Sequence, residues 1–240
     1  MIDLKSYINQ EQDKFSFSQQ QASDFAKNIA GDFNPIHNVG AKKFIVPGDL
    51  LFSLILQQSG LSTNMHLTFS GMVRDNTWLY FKSLSENKIA LIDTKDKEYV
   101  ACEASGDITK NEQIIAEFIR EYVSFSGKAF PHLLASLMEQ ENAMINLARP
   151  MIIYESMSVH LDHLDISGLT LELHQSSFDV TGKRGRVCLQ FDLLSVGEKV
   201  GCGKKYMLLS GLREYDQSQI DQMISDYTKV VSEYNLAEVI

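Results

Sequence analysis

Apolar positions along this chain change period twice, and then the whole pattern repeats. Ala22, Phe25, Ala26 and Ile29 recur at helical spacing behind a Ser18/Gln21 pair with capping-box separation, and Gly31 offers the stop. PGDLLFSLILQQSGL (47–61) then runs almost unbroken in apolar residues, too short to span a membrane and too apolar for a surface helix, which predicts a buried helix. Beyond it HLTFSGMV, NTWLYFKSLS, KIALIDTKD and EYVACEASGDI alternate or run in β-rich residues with polar turns between them, the pattern of an antiparallel sheet. The same succession returns, with FPHLLASLMEQENAMI (130–145) as helix and MSVHLDHL, LTLELHQSSFDVTG, RGRVCLQFDLLSVG and VGCGKKYMLLSGL as strands. Asp216 starts a last amphipathic segment through Ile220, Met223, Ile224 and Tyr227.

The two halves align on VPGDLLFSL (46–54) against FPHLLASL (130–137), and SDFAKNIAGDF resembles IAEFIREYVSF, so we read an internal repeat of roughly 100 residues. Two copies predict a fused pseudo-dimer: an N-terminal unit over 1–110, a second unit over 111–214 and an appended helix over 215–240, in the α+β class.

Composition narrows the partners. Of the 240 residues 44% are hydrophobic and 22% charged, as in an ordinary globular protein, and four prolines leave little room for long linkers. A formal charge of −9 opposes nucleic-acid or anionic-membrane binding, which needs clustered Lys and Arg. The polar start MIDLKSYINQEQDK lacks the apolar core of a signal peptide, and the expected compartment is the cytoplasm. Cys102, Cys188 and Cys202 fall in strand-like runs without a C-x-x-C pair, so reduced structural thiols are expected.

The candidate chemistry lies in AGDFNPIHN (30–38). Pro35 fixes its own φ and pushes Asn34 toward extended geometry, which restricts how Asp32 and His37 face one another. By themselves these residues fit either a preorganised acid/base pair or an Asx-type turn with a surface histidine. The ordered set Phe25, Ala26, Gly31, Asp32, Asn34, Pro35 and His37, followed by Ile45-x-Pro47-Gly48-x-Leu50-Leu51-x-Ser53-Leu54 and then LTFSGMV, resembles the signature of MaoC-like (R)-specific enoyl-CoA hydratases over residues 15 to 108. The resemblance implies a tandem double hot-dog fold, each unit an antiparallel sheet wrapped around a central helix. It also implies hydration of trans-2-enoyl thioesters, or the reverse dehydration, a lyase reaction of fatty acid metabolism.

In that resemblance Asp32 and His37 share one water, Gly48 donates its N–H to the developing enolate at a helix start, and Asn34 contacts substrate. No metal or redox cofactor is implied, the substrate being a thioester of CoA or acyl carrier protein. The chain departs from the family where Pro47-Gly48-Asp49 replaces H-G-M, a pair resembling fatty-acid-synthesis dehydratases, and where Leu56 stands for a serine, leaving Ser53 as the candidate substitute. Lys42 and Lys43 are candidate grips for a CoA phosphate, better placed than Lys183, Arg184 and Arg186 of TGKRGR, which read as a hairpin turn. The second unit carries no Asp/His motif, Ser124 falling near the place of Asp32, so one site per chain is expected, within an intrachain pseudo-dimer that could pair again as a homodimer. His160, Asp162 and His163 read as strand residues rather than a metal cluster. Two other functions share the fold: a non-catalytic acyl-thioester-binding or regulatory protein, and an acyl thioesterase using a carboxylate-activated water.

Overall fold

The structure is a computed structural model describing residues 2–129 and 131–237. Phe130 and residues 238–240, which fall inside two of the expected helices, lie outside the described residues. A short hairpin, β1 (Asn9–Glu11) and β2 (Lys14–Ser16), leads to α1 (Gln19–Asp24). Ser18 and Gln21 close the capping box at its start. The helix then widens to i→i+5 bonding over Phe25–Ala30 and ends at Gly31, whose φ of 65° is a left-handed stop that glycine adopts without a Cβ penalty. The buried run forms α2 (Gly48–Ser59), and the β-rich run forms β3 (Leu61–Phe69), β4 (Leu79–Ser85), β5 (Lys88–Asp93) and β6 (Glu98–Thr109).

The second half supplies α3 (Glu112–Gly127), α4 (His132–Gln140), β7 (Ala143–Met144), β8 (Ile152–Leu161), β9 (Leu169–Thr181), β10 (Arg184–Ser195), β11 (Glu198–Ser210), β12 (Arg213–Glu214) and α5 (Gln217–Ala237). Two boundaries differ from expectation. The helix expected over 130–145 stops at Gln140, because Asn142 takes φ 47° and the chain turns into β7. The strand expected through Val73 leaves the sheet after Phe69, and Val46 donates to the Val73 carbonyl at 2.9 Å, tying this departing segment to the approach of α2.

Ten strands form one antiparallel sheet in the order β1-β2-β4-β5-β6-β3-β8-β11-β10-β9. Outward from its centre the order β3, β6, β5, β4 is matched by β8, β11, β10, β9, so the two halves repeat one strand order around the β3–β8 ladder. That ladder runs from Asn64 opposite His160 to Thr68 opposite Ser156. Each half lays a helix on its own part of the sheet, which is the double hot-dog architecture, α+β with a C-terminal helix.

The larger core crosses residue 110. Leu50, Leu51, Phe52, Ile55 and Leu56 of α2 pack with Leu61, Met65 and Leu67 of β3, with Phe118 and Tyr122 of α3, and with Phe191 of β10. A smaller core gathers Leu134, Leu137 and Met138 of α4 against Val187, Leu189, Met207 and Leu209. The helix α5 anchors Ile220 in the second core and then runs back over the first unit. Phe33 is held edge-on by Tyr227 and Tyr234, with ring centroids 6.1 and 5.3 Å away. Tyr234 also donates to Asn28 Oδ1 at 2.6 Å. The expected catalytic turn is thus strapped from outside by the C-terminal helix.

Ile55 is fully buried in α2, where truncation leaves a cavity that surrounding helices and strands cannot close. Ile55→Ala should lower unfolding free energy by about 2–5 kcal/mol in urea titration, with an unchanged denaturant slope.

Candidate functional site

The AGDFNPIHN segment folds as a chain of local restraints. Asp32 donates its backbone N–H to the Ala26 carbonyl at 2.8 Å, and its Oδ1 accepts the Asn34 N–H at 2.9 Å. Asn34 in turn caps the single 3₁₀ turn Pro35–His37, its Oδ1 accepting from the Ile36 N–H at 3.3 Å. Pro35 at the first position of that turn loses no hydrogen bond, since the N–H it lacks would have been an orphan. Ile45 folds back onto Ile36, N–H to carbonyl at 3.1 Å. The carbonyl of Ile45 then accepts from His37 Nδ1 at 2.7 Å. A carbonyl only accepts, so Nδ1 carries the proton, and in the neutral ring Nε2 is the bare nitrogen.

That nitrogen lies 3.5 Å from Asp32 Oδ2, with both side chains almost wholly buried. Both line a cavity of about 200 Å³ together with Asn34, Gly48 and apolar walls that include Ile36, Val46, Leu51 and Phe69. Burial pushes the Asp32 carboxyl above its ordinary value, and Asp49 adds to the rise. His37, the Asn34 N–H and Lys205 pull the other way.

The second half completes the site. Gly127, at the end of α3, lies so near the motif that a Cβ would strike the carbonyl of Ala30. This approach puts Ser126 at the cavity, where its Oγ donates to Asp49 Oδ2 at 2.6 Å. Tyr154 of β8 donates to the same oxygen at 2.8 Å, and its ring packs against Gly48, where a side chain would collide. Lys205 of β11, 1% exposed, donates to Ser126 Oγ and places Nζ 3.5 Å from the centre of the Tyr154 ring. Burial lowers the Lys205 ammonium's value, opposed by Asp49 and Asp32. Burial also holds the Tyr154 phenol well above its ordinary range, as do the charges of Asp49 and Asp32, so it remains a donor.

Asp32, Asn34, His37 and Gly48 therefore come together around one cavity. Other candidates lie elsewhere. Ser53 is fully buried and donates to the Asp49 carbonyl one turn back, the usual fate of a serine inside a helix, and it is not among the cavity-lining residues. Lys42 and Lys43 are exposed on the loop before α2 and also lie outside that lining. Arg186 of the basic hairpin pairs with Glu155 at 2.6 Å. His160 pairs with Asn64 at 2.7 Å and is exposed.

Sequence reasoning missed Ser126, Tyr154 and Lys205, and named Asp49 as a departure from the family pattern at the start of the central helix. Lys205 did carry a signal, because it sits at an inward position of a strand whose alternate residues Gly203 and Met207 are buried.

The sequence model of one family, described as "Protein of unknown function (DUF3581)", matches residues 2–218. The chain belongs to that family. No curated protein matches the sequence. Among solved structures, the chain is similar to a tesB protein from Mycobacterium avium subs paratuberculosis, at 9% identity and TM-score 0.47, covering 86% of this chain and 98% of that one. It is also similar to an acyl-CoA thioesterase II from Mycobacterium marinum (9% identity, TM-score 0.40, coverage 90% and 99%) and to a MaoC-like dehydratase (7% identity, TM-score 0.43, coverage 84% and 97%). At such identities the site itself has to carry any functional reading of this family member. No helix among the described residues is long and apolar enough to cross a membrane.

The raised Asp32 carboxyl has a stability consequence. An acid whose folded-state value lies above its ordinary 3.8 removes stability as pH climbs from there through the raised value. Asp32→Asn keeps an acceptor for the Asn34 N–H and removes the buried charge. Urea midpoints should match the native protein near pH 3.8 and exceed it increasingly toward neutrality, and a constant difference across that range would refute the assignment.

Proposed function

We propose that this protein hydrates trans-2-enoyl thioesters, or runs the reverse dehydration of 3-hydroxyacyl thioesters, at the Asp32–His37 pair. The observation that carries the reading is the pinned imidazole: His37 donates its Nδ1 proton to the Ile45 carbonyl, leaving Nε2 3.5 Å from Asp32 Oδ2 at the wall of the cavity. A 3.5 Å gap is long for a direct hydrogen bond and lets both groups address one water placed beside them on the cavity side. One proton held between the two groups is enough for the reaction. The bare member accepts a proton from water as its oxygen bonds to C3, and the protonated member delivers its proton to C2. The pair ends with the same single proton, and the net addition is one water across the double bond.

Charge accumulates on the thioester oxygen during addition, and the first N–H groups of α2 have no intrahelical acceptor. Gly48 occupies the first position of that helix and lines the cavity, so its N–H is the proposed donor to the enolate. The thioester of CoA or acyl carrier protein is the whole substrate in this scheme, and the pair itself supplies the acid and base.

One observation favours a second reading, a non-catalytic acyl-thioester-binding protein. Asp49 places a buried carboxylate beside Gly48, at the end of α2 that an enolate would need, and the Tyr154 ring lies against Gly48.

Following crotonyl-CoA by loss of its conjugated enoyl absorbance tests both readings. Turnover should appear in the native protein and fall by about 10²–10⁴-fold in Asp32→Asn and in His37→Ala. Turnover surviving both changes would sink the site. No turnover across chain lengths, with acyl-CoA binding retained, would select the second reading, and release of free thiol would indicate thioester hydrolysis.

A further inference from the structure

The half of the chain without the Asp/His motif contributes the one buried cation of the cavity. Among the described residues lining it, the charged and titratable side chains are Asp32, His37, Tyr154 and Lys205, with Asp49 immediately behind Ser126 and Tyr154. Lys205 is 1% exposed and Asp49 2%, so neither charge is offset by solvent. The ammonium is held by the Ser126 hydroxyl and the Tyr154 ring face, and both of those side chains donate to Asp49 Oδ2. The other oxygen of Asp49 has no hydrogen-bond partner among the described residues. A half-satisfied buried carboxylate persists where a nearby positive charge compensates it.

We infer that Lys205 is a positioning residue for the reaction centre: carried by Ser126 and Tyr154 at the wall of the cavity that it shares with Asp32, it favours the ionised Asp32 carboxyl from the second unit, in opposition to Asp49. The function of the motif then depends on both halves. The second unit carries no acid/base pair and supplies instead the counter-charge that lets two carboxylates occupy one buried site. Groups facing Asp32 from every packed element enter the balance: His37 from its own turn, Asp49 from α2, Tyr154 from β8, Lys205 from β11 and Tyr227 from α5. Lys205 favours the ionised carboxyl and Asp49 disfavours it, so removing one must act opposite to removing the other.

That opposition separates an electrostatic role from loss of packing, which shifts both variants alike. The probe is the carboxyl carbon resonance of Asp32 in protein labelled with ¹³C-aspartate, assigned by its disappearance in Asp32→Asn and followed against pH. Lys205→Met should move the titration midpoint to higher pH, Asp49→Asn to lower pH, and the double variant should return toward the native value. Midpoints that move together, or do not move, overturn the inference. Should Lys205→Met fail to fold, Lys205→Gln takes its place beside Asp49→Asn, and a midpoint that it does not raise overturns the inference.

The kinetic arm rests on the hydratase reading. There Lys205→Met should lower kcat on the order of 10²-fold with KM retained and shift the acid limb of the pH profile upward. A protein with no turnover whose carboxyl still titrates as stated would refute the hydratase reading and leave the role of Lys205 intact.

Discussion

The β3–β8 ladder is the constraint on which the rest of this molecule depends. Pairing Asn64 through Thr68 with His160 through Ser156 joins two half-sheets into one and removes an open edge from each. It also sets how the halves face one another. Because β11 lies next to β8, the ladder brings Tyr154 and Lys205 to the start of α2, an element of the other half. A slip of one residue in this register would turn every inward side chain outward, Lys205 among them. The site is therefore a product of sheet register as much as of the turn that carries Asp32 and His37.

Around this seam the polar groups are arranged against a steep cost. Asp32, Asp49 and Lys205 are all taken out of water, which no single hydrogen bond repays. The structure distributes the compensation: Asn34 N–H on one oxygen of Asp32, two hydroxyls on one oxygen of Asp49, and one ammonium against a serine and an aromatic face. Strain of this kind is expected where function rather than stability has shaped the interior. The Phe33 clamp by α5 fits the same picture, since it bolts down the backbone of a turn whose side chains would gain by relaxing toward solvent.

The division of labour between the halves follows from the same geometry. The start of α2 faces the second half, where Tyr154 lies against Gly48 and both Tyr154 and Ser126 donate to Asp49. Ser126 and Gly127 end α3 at the place where the first unit carries its motif turn, and the absence of a Cβ at Gly127 allows that contact. The second half thus forms part of the wall of the cavity that the motif turn lines.

What the chain determined locally is what depended on period and turn chemistry. The capping box of Ser18 and Gln21, the left-handed stop at Gly31, the buried run of α2 and the strands β4 to β6 and β9 to β11 follow from side-chain spacing and from residues with restricted φ, interactions that span a few positions. The motif turn was legible for the same reason, its order being set by Asn34 and Pro35 themselves. Tertiary structure alone decided the end of the second central helix at Gln140, the clamp of Phe33 by two tyrosines some 200 positions away, and above all the meeting of Lys205, Ser126 and Tyr154 with Asp49. The alternation of Gly203, Lys205 and Met207 put Lys205 on the inward face of its strand and said nothing of which groups it would meet there. That meeting was set by the pairing of β11 with β8, which places Lys205 opposite Met157, more than 40 residues away in sequence, through a register that no short-range pattern encodes.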